Sequence, residues 1–194
     1  MPHSNAKPGR RADARQNAEK IVRAAVTCLG RDADASMNDI AQEAGVGRVT
    51  LYAHFASREA VVEAALIRLL AQGDEVLEAV DLGGDPRDGL RGLMESGWLL
   101  LAQATSVLQA AQASLPPGRV HELHAKPEQR VLDLIRRGQT EGTFRTDITA
   151  DLLAGVLHHI LHGAAGDVAT GRLDPADAPR LVAEMALAVC AIPL

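Results

Sequence analysis

Two sets of side chains in this chain have the types and spacing to do chemistry. The first lies in SMNDIAQEAGVGRVTLYAHFASRE, residues 36–59. An arginine at the start of a short helix, Arg48, can donate two bonds to a guanine edge, and Thr50 can touch a thymine methyl or a phosphate. In the segment before it, Ser36 can bond a phosphate, and Asn38 can reach a base or the backbone. The second set is His121, His124, His158, His159 and His162. His158 and His162 form an i, i+4 pair that could bind a metal on one helix face. No Cys, Asp or Glu completes that site in the sequence and HExxH is absent, so neither a metal nor another cofactor is expected. A second reading makes His121, His124, His158 and His162, with Trp98, Thr105 and Gln112, polar handles in an aliphatic pocket that includes Leu101 and Leu108. A cavity of this kind holds a small molecule. Histidines satisfied in a core or an interface would explain the same pattern. There is no nucleophile–base elbow, phosphate loop or spaced carboxylate pair, and an enzyme is not expected.

The first set needs a frame, and the surrounding residues supply one. Ser36 stands three residues before Asp39, so its hydroxyl can cap a helix whose positive end the carboxylate favours. Ile40, Ala41 and Ala44 mark an apolar face. Gly45 suits a left-handed turn because it lacks a Cβ. Beyond it Val46, Val49 and Ala53 are read as facing inward, with Arg48, Thr50 and Tyr52 pointing elsewhere; Leu51 and Phe55 are core by spacing. The product is a helix, a turn and a short second helix. One braces the backbone of a duplex while the other enters a major groove.

Ala41, Ala44-Gly45-Val46, Thr50-Leu51-Tyr52, His54-Phe55 and Ser57-Arg58-Glu59 resemble the signature of tetracycline-repressor-like (TetR family) transcriptional regulators. The match covers about the first third of the chain. It implies that Tyr52 and His54 touch the sugar-phosphate backbone and that Arg58, where a lysine is usual, is a phosphate partner. Two positions depart from the pattern. Gly47 replaces a common polar cap among the DNA-facing residues, and the turn 31–35 lacks the usual glycine near Asp32. There, either Gly30 ends the first helix or Asp32 turns left-handed. The family also implies a four-helix dimer bundle from the last two helices, although burial within one chain would explain their apolar pattern too.

Composition agrees with an all-α protein. Aromatic residues make up 2% of the 194, so aliphatic side chains must fill the interior. The net charge of −5 is unevenly placed. Residues 1–60 hold nine Lys/Arg against seven Asp/Glu, +2, leaving eleven against eighteen, −7, for the rest. A mildly basic head on an acidic body is the sign expected if only the head meets phosphate. Cys28 and Cys190 read as small core residues rather than a disulfide. With no long apolar run and no apolar signal core, a cytoplasmic protein without membrane contact is expected.

Turn chemistry divides the remainder. Residues 1–12 read as a disordered basic arm, with Lys7, Arg10 and Arg11 near DNA or without a role. Residues 13–58 read as a three-helix DNA-binding domain, and 59–194 as a helical ligand-binding and dimerisation domain. Ser57 reads as the cap of a helix running to about 80, and DLGGDPRDG (81–89) as a break. Helices follow over about 87–113, 119–141 (with Pro127 a point of disturbance), 149–170 and 175–191. The function expected is a repressor that binds double-stranded DNA as a homodimer through its last two helices and is released by a small-molecule effector. The rival is a DNA-binding dimer whose body is a scaffold or protein-partner platform.

Overall fold

Capping and turn residues cut the chain into eight α-helices, with no strand among the described residues. The computed structural model describes residues 8–193, with side chains from 13 onward except those of 125 and 126. The helices are α1 (Pro8–Arg31), α2 (Met37–Ala44), α3 (Arg48–His54), α4 (Arg58–Glu78), α5 (Pro86–Ser114), α6 (Arg119–Thr140), α7 (Ala150–Ala169) and α8 (Ala178–Cys190). α1 opens inside the stretch read as a disordered arm. Proline is tolerated in a first turn, and the Arg-Arg-Ala that follows favours helix. Residues 1–7 of that arm, with Lys7, lie outside the described residues.

The turn after α1 follows neither course expected of it. No non-glycine residue has a positive φ among the described residues, and Gly30 is not left-handed. Instead the Asp32 carboxylate accepts the Asp34 N–H at 2.9 Å, and the Asp32 carbonyl accepts the Ala35 N–H at 3.1 Å. An aspartate side chain can close such a turn in place of a glycine.

The described chain forms two compact units. One comprises the residues up to Leu69 together with Ser106–Val120; the other comprises Leu70–Thr105 and the residues from His121 onward. The first unit therefore takes in the beginning of α4 and the α5–α6 junction, beyond a division at residue 58. Within it α1 packs on α2, and α3 on both. Ile21, Ala25 and Leu29 of α1, Ile40 of α2, Leu51 of α3, and Val61 and Val62 of α4 are completely buried. Val107, Leu108 and Ala111 bring the end of α5 into the same unit's interior.

The second unit is built on Leu90, Leu93, Trp98, Ile135, Phe144, Leu153, Leu157 and Val182, with α7 packed on α8. Cys190 is buried there, and burial pushes its thiol up to about 11; both cysteines are free. Arg130 meets Asp74 at 2.9 Å where both side chains are mostly buried. Glu78 stands 3.6 Å from the same guanidinium. α6 passes through Pro127 without ending. It stops at Gly142, whose φ of 71° lets the Thr143 and Phe144 N–H groups return to the Gly138 carbonyl. The same turn folds the Phe144 ring over Gly138, where a Cβ would overlap it. Gly138→Ala should therefore cost about 1–3 kcal/mol, the usual range for overpacking. Thermal or urea unfolding of the variant measures the loss.

Candidate nucleic-acid interface

The expected capping box around Ser36 is formed. Its hydroxyl accepts the Asp39 N–H at 3.3 Å, while Asp39 Oδ2 accepts the Ser36 N–H at 2.9 Å. The Ser36 hydroxyl also donates to that oxygen at 2.6 Å, so its hydrogen is engaged before any phosphate arrives. These bonds from Ser36, side chain first, hold the Asp39 carboxyl below its usual range. Gly45 takes φ 66°, and the Gly45 and Val46 N–H groups return to the Gln42 and Ala41 carbonyls. The turn into α3 thus has the left-handed residue its sequence calls for.

α3 starts at Gly47, which offers no side-chain cap, and a Cβ at that position would meet nothing within 4 Å. Nothing packed against it requires the glycine. Arg48 is exposed, Tyr52 is 45% exposed, and Thr50 and His54 are half-buried. Asn38 of α2 is exposed as well. The inward reading of Val49 and Ala53 does not hold: Val49 is 86% exposed and Ala53 is exposed, while Val46 is half-buried. Residues two apart on a helix point to nearly opposite sides. Once Leu51 is inward at 0% exposure, Val49 and Ala53 must face out. Phe55, read as core, is only half-buried. Val49 is the outward residue that sequence reasoning missed, and its two-residue offset from Leu51 was the signal.

Arg58 is held otherwise than a phosphate partner would be. Its Nε donates to the Ala35 carbonyl at 3.3 Å, one terminal nitrogen to the Ala33 carbonyl at 2.5 Å, and the other to Ser114 Oγ at 2.7 Å. The planar fork fastens the α1–α2 turn and the end of α5 to the start of α4, which a lysine's point charge cannot reproduce. Beside it Arg119 Nε donates to Glu63 Oε1 at 2.7 Å. The expected Ser57 cap is also formed, accepting the Ala60 N–H at 3.4 Å.

Of the residues proposed as pocket lining, Leu108 and Gln112 belong to the first unit, and Trp98, Leu101, Thr105 and the histidines to the second. Trp98 and Leu101 are buried, and the Thr105 hydroxyl donates to the Leu101 carbonyl of its own helix at 3.0 Å. Gln112 is exposed, so it is no handle inside an apolar cavity. His121 has a 76% exposed side chain. His124, His158 and His162 do meet, with Glu128 beside His158. Burial lowers the His158 pKa, and burial followed by the neighbouring imidazoles lowers that of His162 to about 4. Glu128 was missed, although it stands one helical turn after His124. As the side chains stand, no three His, Cys, Asp or Glu among the described residues are placed to hold a metal. A cleft of about 420 Å³ in the second unit is bordered by Arg87, Arg91, Phe144 and Ile192, and none of the anticipated residues line it. Among the described residues, no helix is long and apolar enough to cross a membrane.

A capped helix, a glycine turn and a short helix with an outward polar face define a helix-turn-helix DNA-binding domain, here joined to an all-helical body. Residues 21–65 match the family model for bacterial regulatory proteins of the tetR family. No curated protein matches the chain. The fold resembles that of the fatty acid degradation regulator FadR from Bacillus halodurans (TM-score 0.75, 19% identity, covering 88% of this chain and 94% of that one). It also resembles a TetR transcription regulator from Haloarcula marismortui (0.74, 19%, 90% and 96%). A third likeness is to a TetR transcriptional regulator from Streptomyces coelicolor (0.59, 27%, 91% and 99%). Residues 21–65 thus carry a tetR-family amino-terminal domain, and the fold of the whole chain resembles that of TetR-family regulators.

Replacing Arg58 separates a strut from a phosphate contact. Arg58→Gln should lower the unfolding midpoint, at a cost of about 1–3 kcal/mol for the lost charged hydrogen bonds. The salt dependence of DNA binding should keep its slope. A phosphate contact would instead reduce that slope by about 0.9. Thermal unfolding and a salt series of binding isotherms report the two quantities.

Proposed function

We propose that this chain is a transcriptional repressor of the cytoplasm that binds an imperfect palindrome in double-stranded DNA as a homodimer and is released by a small molecule. The observation that carries the reading is the outward face of α3, where Arg48, Val49 and Tyr52 are open to solvent on a helix held from behind by Leu51. Arg48 reads a guanine edge, and Val49 and Thr50 are suited to thymine methyls. Ser36, Asn38, Gly47, Tyr52 and His54 border the phosphates, with Arg58 bracing the head behind them. The +2 head and −7 body favour approach by the reading surface.

Dimerisation is supported by one face of α7. Leu152 is 59% and Val156 37% exposed, and Gly155, Gly163 and Gly166 on the same side have open space where a Cβ would be. Such a lane of small residues lets a second helix approach closely. Two heads set about 34–36 Å apart would enter successive major grooves. An effector that favours another spacing would release the DNA, and the DNA would oppose the effector by the same factor.

A second reading, in which the body is a scaffold or partner platform without a ligand, draws support from the Thr105 bond to its own helix and the exposure of Gln112. Neither reading includes catalysis.

Mobility shift against genomic fragments at moderate salt should find a sequence-specific complex; none would overturn the repressor reading. Arg48→Ala should cost about 1–3 kcal/mol and relax preference at one base pair, as read by competition binding. Leu152→Asp should turn the dimer into a monomer in light scattering and abolish tight binding to the two-half-site operator.

A further inference from the structure

Imidazoles gather at one place in the second unit. His124 of α6 has its ring centre 6.2 Å from those of His158 and His162 of α7, which are 4.3 Å from each other. Glu128, one turn beyond His124, brings Oε1 to 3.3 Å from His158 Nδ1 and 3.6 Å from His121 Nδ1. That oxygen is shielded from water, and neither nitrogen gives it a well-directed hydrogen bond. A buried carboxylate oxygen left this way carries a desolvation penalty, which a cation among the rings would relieve.

We propose that His124, His158, His162 and Glu128 form a binding site for a divalent transition-metal cation of the zinc class. Three imidazoles and one carboxylate oxygen suit Zn²⁺, Ni²⁺ or Cu²⁺, and disfavour Mg²⁺ and Ca²⁺, which take oxygen ligands. Rings sharing one tetrahedral ion through bonds of about 2.0–2.1 Å have centres about 5 Å apart. The separations of 4.3 and 6.2 Å bracket that value. The donor atoms do not converge as they stand, so binding requires these imidazole and carboxylate side chains to rotate. An ion held there would tie α6 to α7. The site names another occupant for part of the surface that the effector reading uses, and it depends on neither that reading nor the DNA contacts.

Untagged, metal-stripped protein titrated with Co²⁺ tests the site. One equivalent per chain should bind with the intense visible bands of four-coordinate cobalt, and Zn²⁺ should bleach them. Saturating Zn²⁺ should also raise the unfolding midpoint of the unaltered protein. His162→Gln and Glu128→Gln, checked for helicity by circular dichroism, should each weaken Co²⁺ binding at least tenfold. His159→Gln, whose exposed ring contacts the Gly155 carbonyl through Nδ1, should bind as the unaltered protein does. Absence of the bands and of the Zn²⁺ stabilisation, or full binding by the His162 and Glu128 variants, overturns the proposal.

Discussion

A helix of seven residues has no stability of its own in water, because its nucleation cost is spread over too few hydrogen bonds. α3 is such a helix, and it lacks a side-chain cap at Gly47. Its order is borrowed from Leu51, sealed against solvent, and from Gly45, whose left-handed turn sets the angle of entry. The outward placement of Arg48, Val49 and Tyr52 follows from that anchorage. An anchor placed inward at 51 turns 49 and 53 outward by helical geometry alone.

The anchorage rests in turn on elements far away in sequence. Arg58 spends its guanidinium on two carbonyls of the α1–α2 turn and on Ser114, and Arg119 reaches Glu63. The DNA-binding head is therefore more than its three helices: residues 106–120 are part of the same unit. A family motif ending near residue 65 does not contain this support.

The helix count and most boundaries could be read directly, because they depend on local chemistry: Ser36 and Ser57 as caps, Gly45 and Gly142 as helix ends. What escaped was set by choices between local solutions or by distant partners. Asp32 closed its turn with a side chain where a backbone device was expected. The α3 face was misjudged because Val49 and Leu51 cannot both point inward. Arg58 and Ser114 are 56 residues apart, and no spacing pattern links them. Glu128 lay within reach of a periodicity argument, but the histidines were weighed without it. The α5 residues proposed for a pocket fall into both units, a division that residue types along one helix do not reveal.

The half-buried His162 gives the second unit a bearing on acidity: its folded form resists protonation down to about 4, while an unfolded imidazole accepts a proton near 6.5. Between those two values acidification favours the unfolded chain, and the stability drawn from the neutral ring drains away as pH falls. Mild acid thus strains the second unit through this one imidazole.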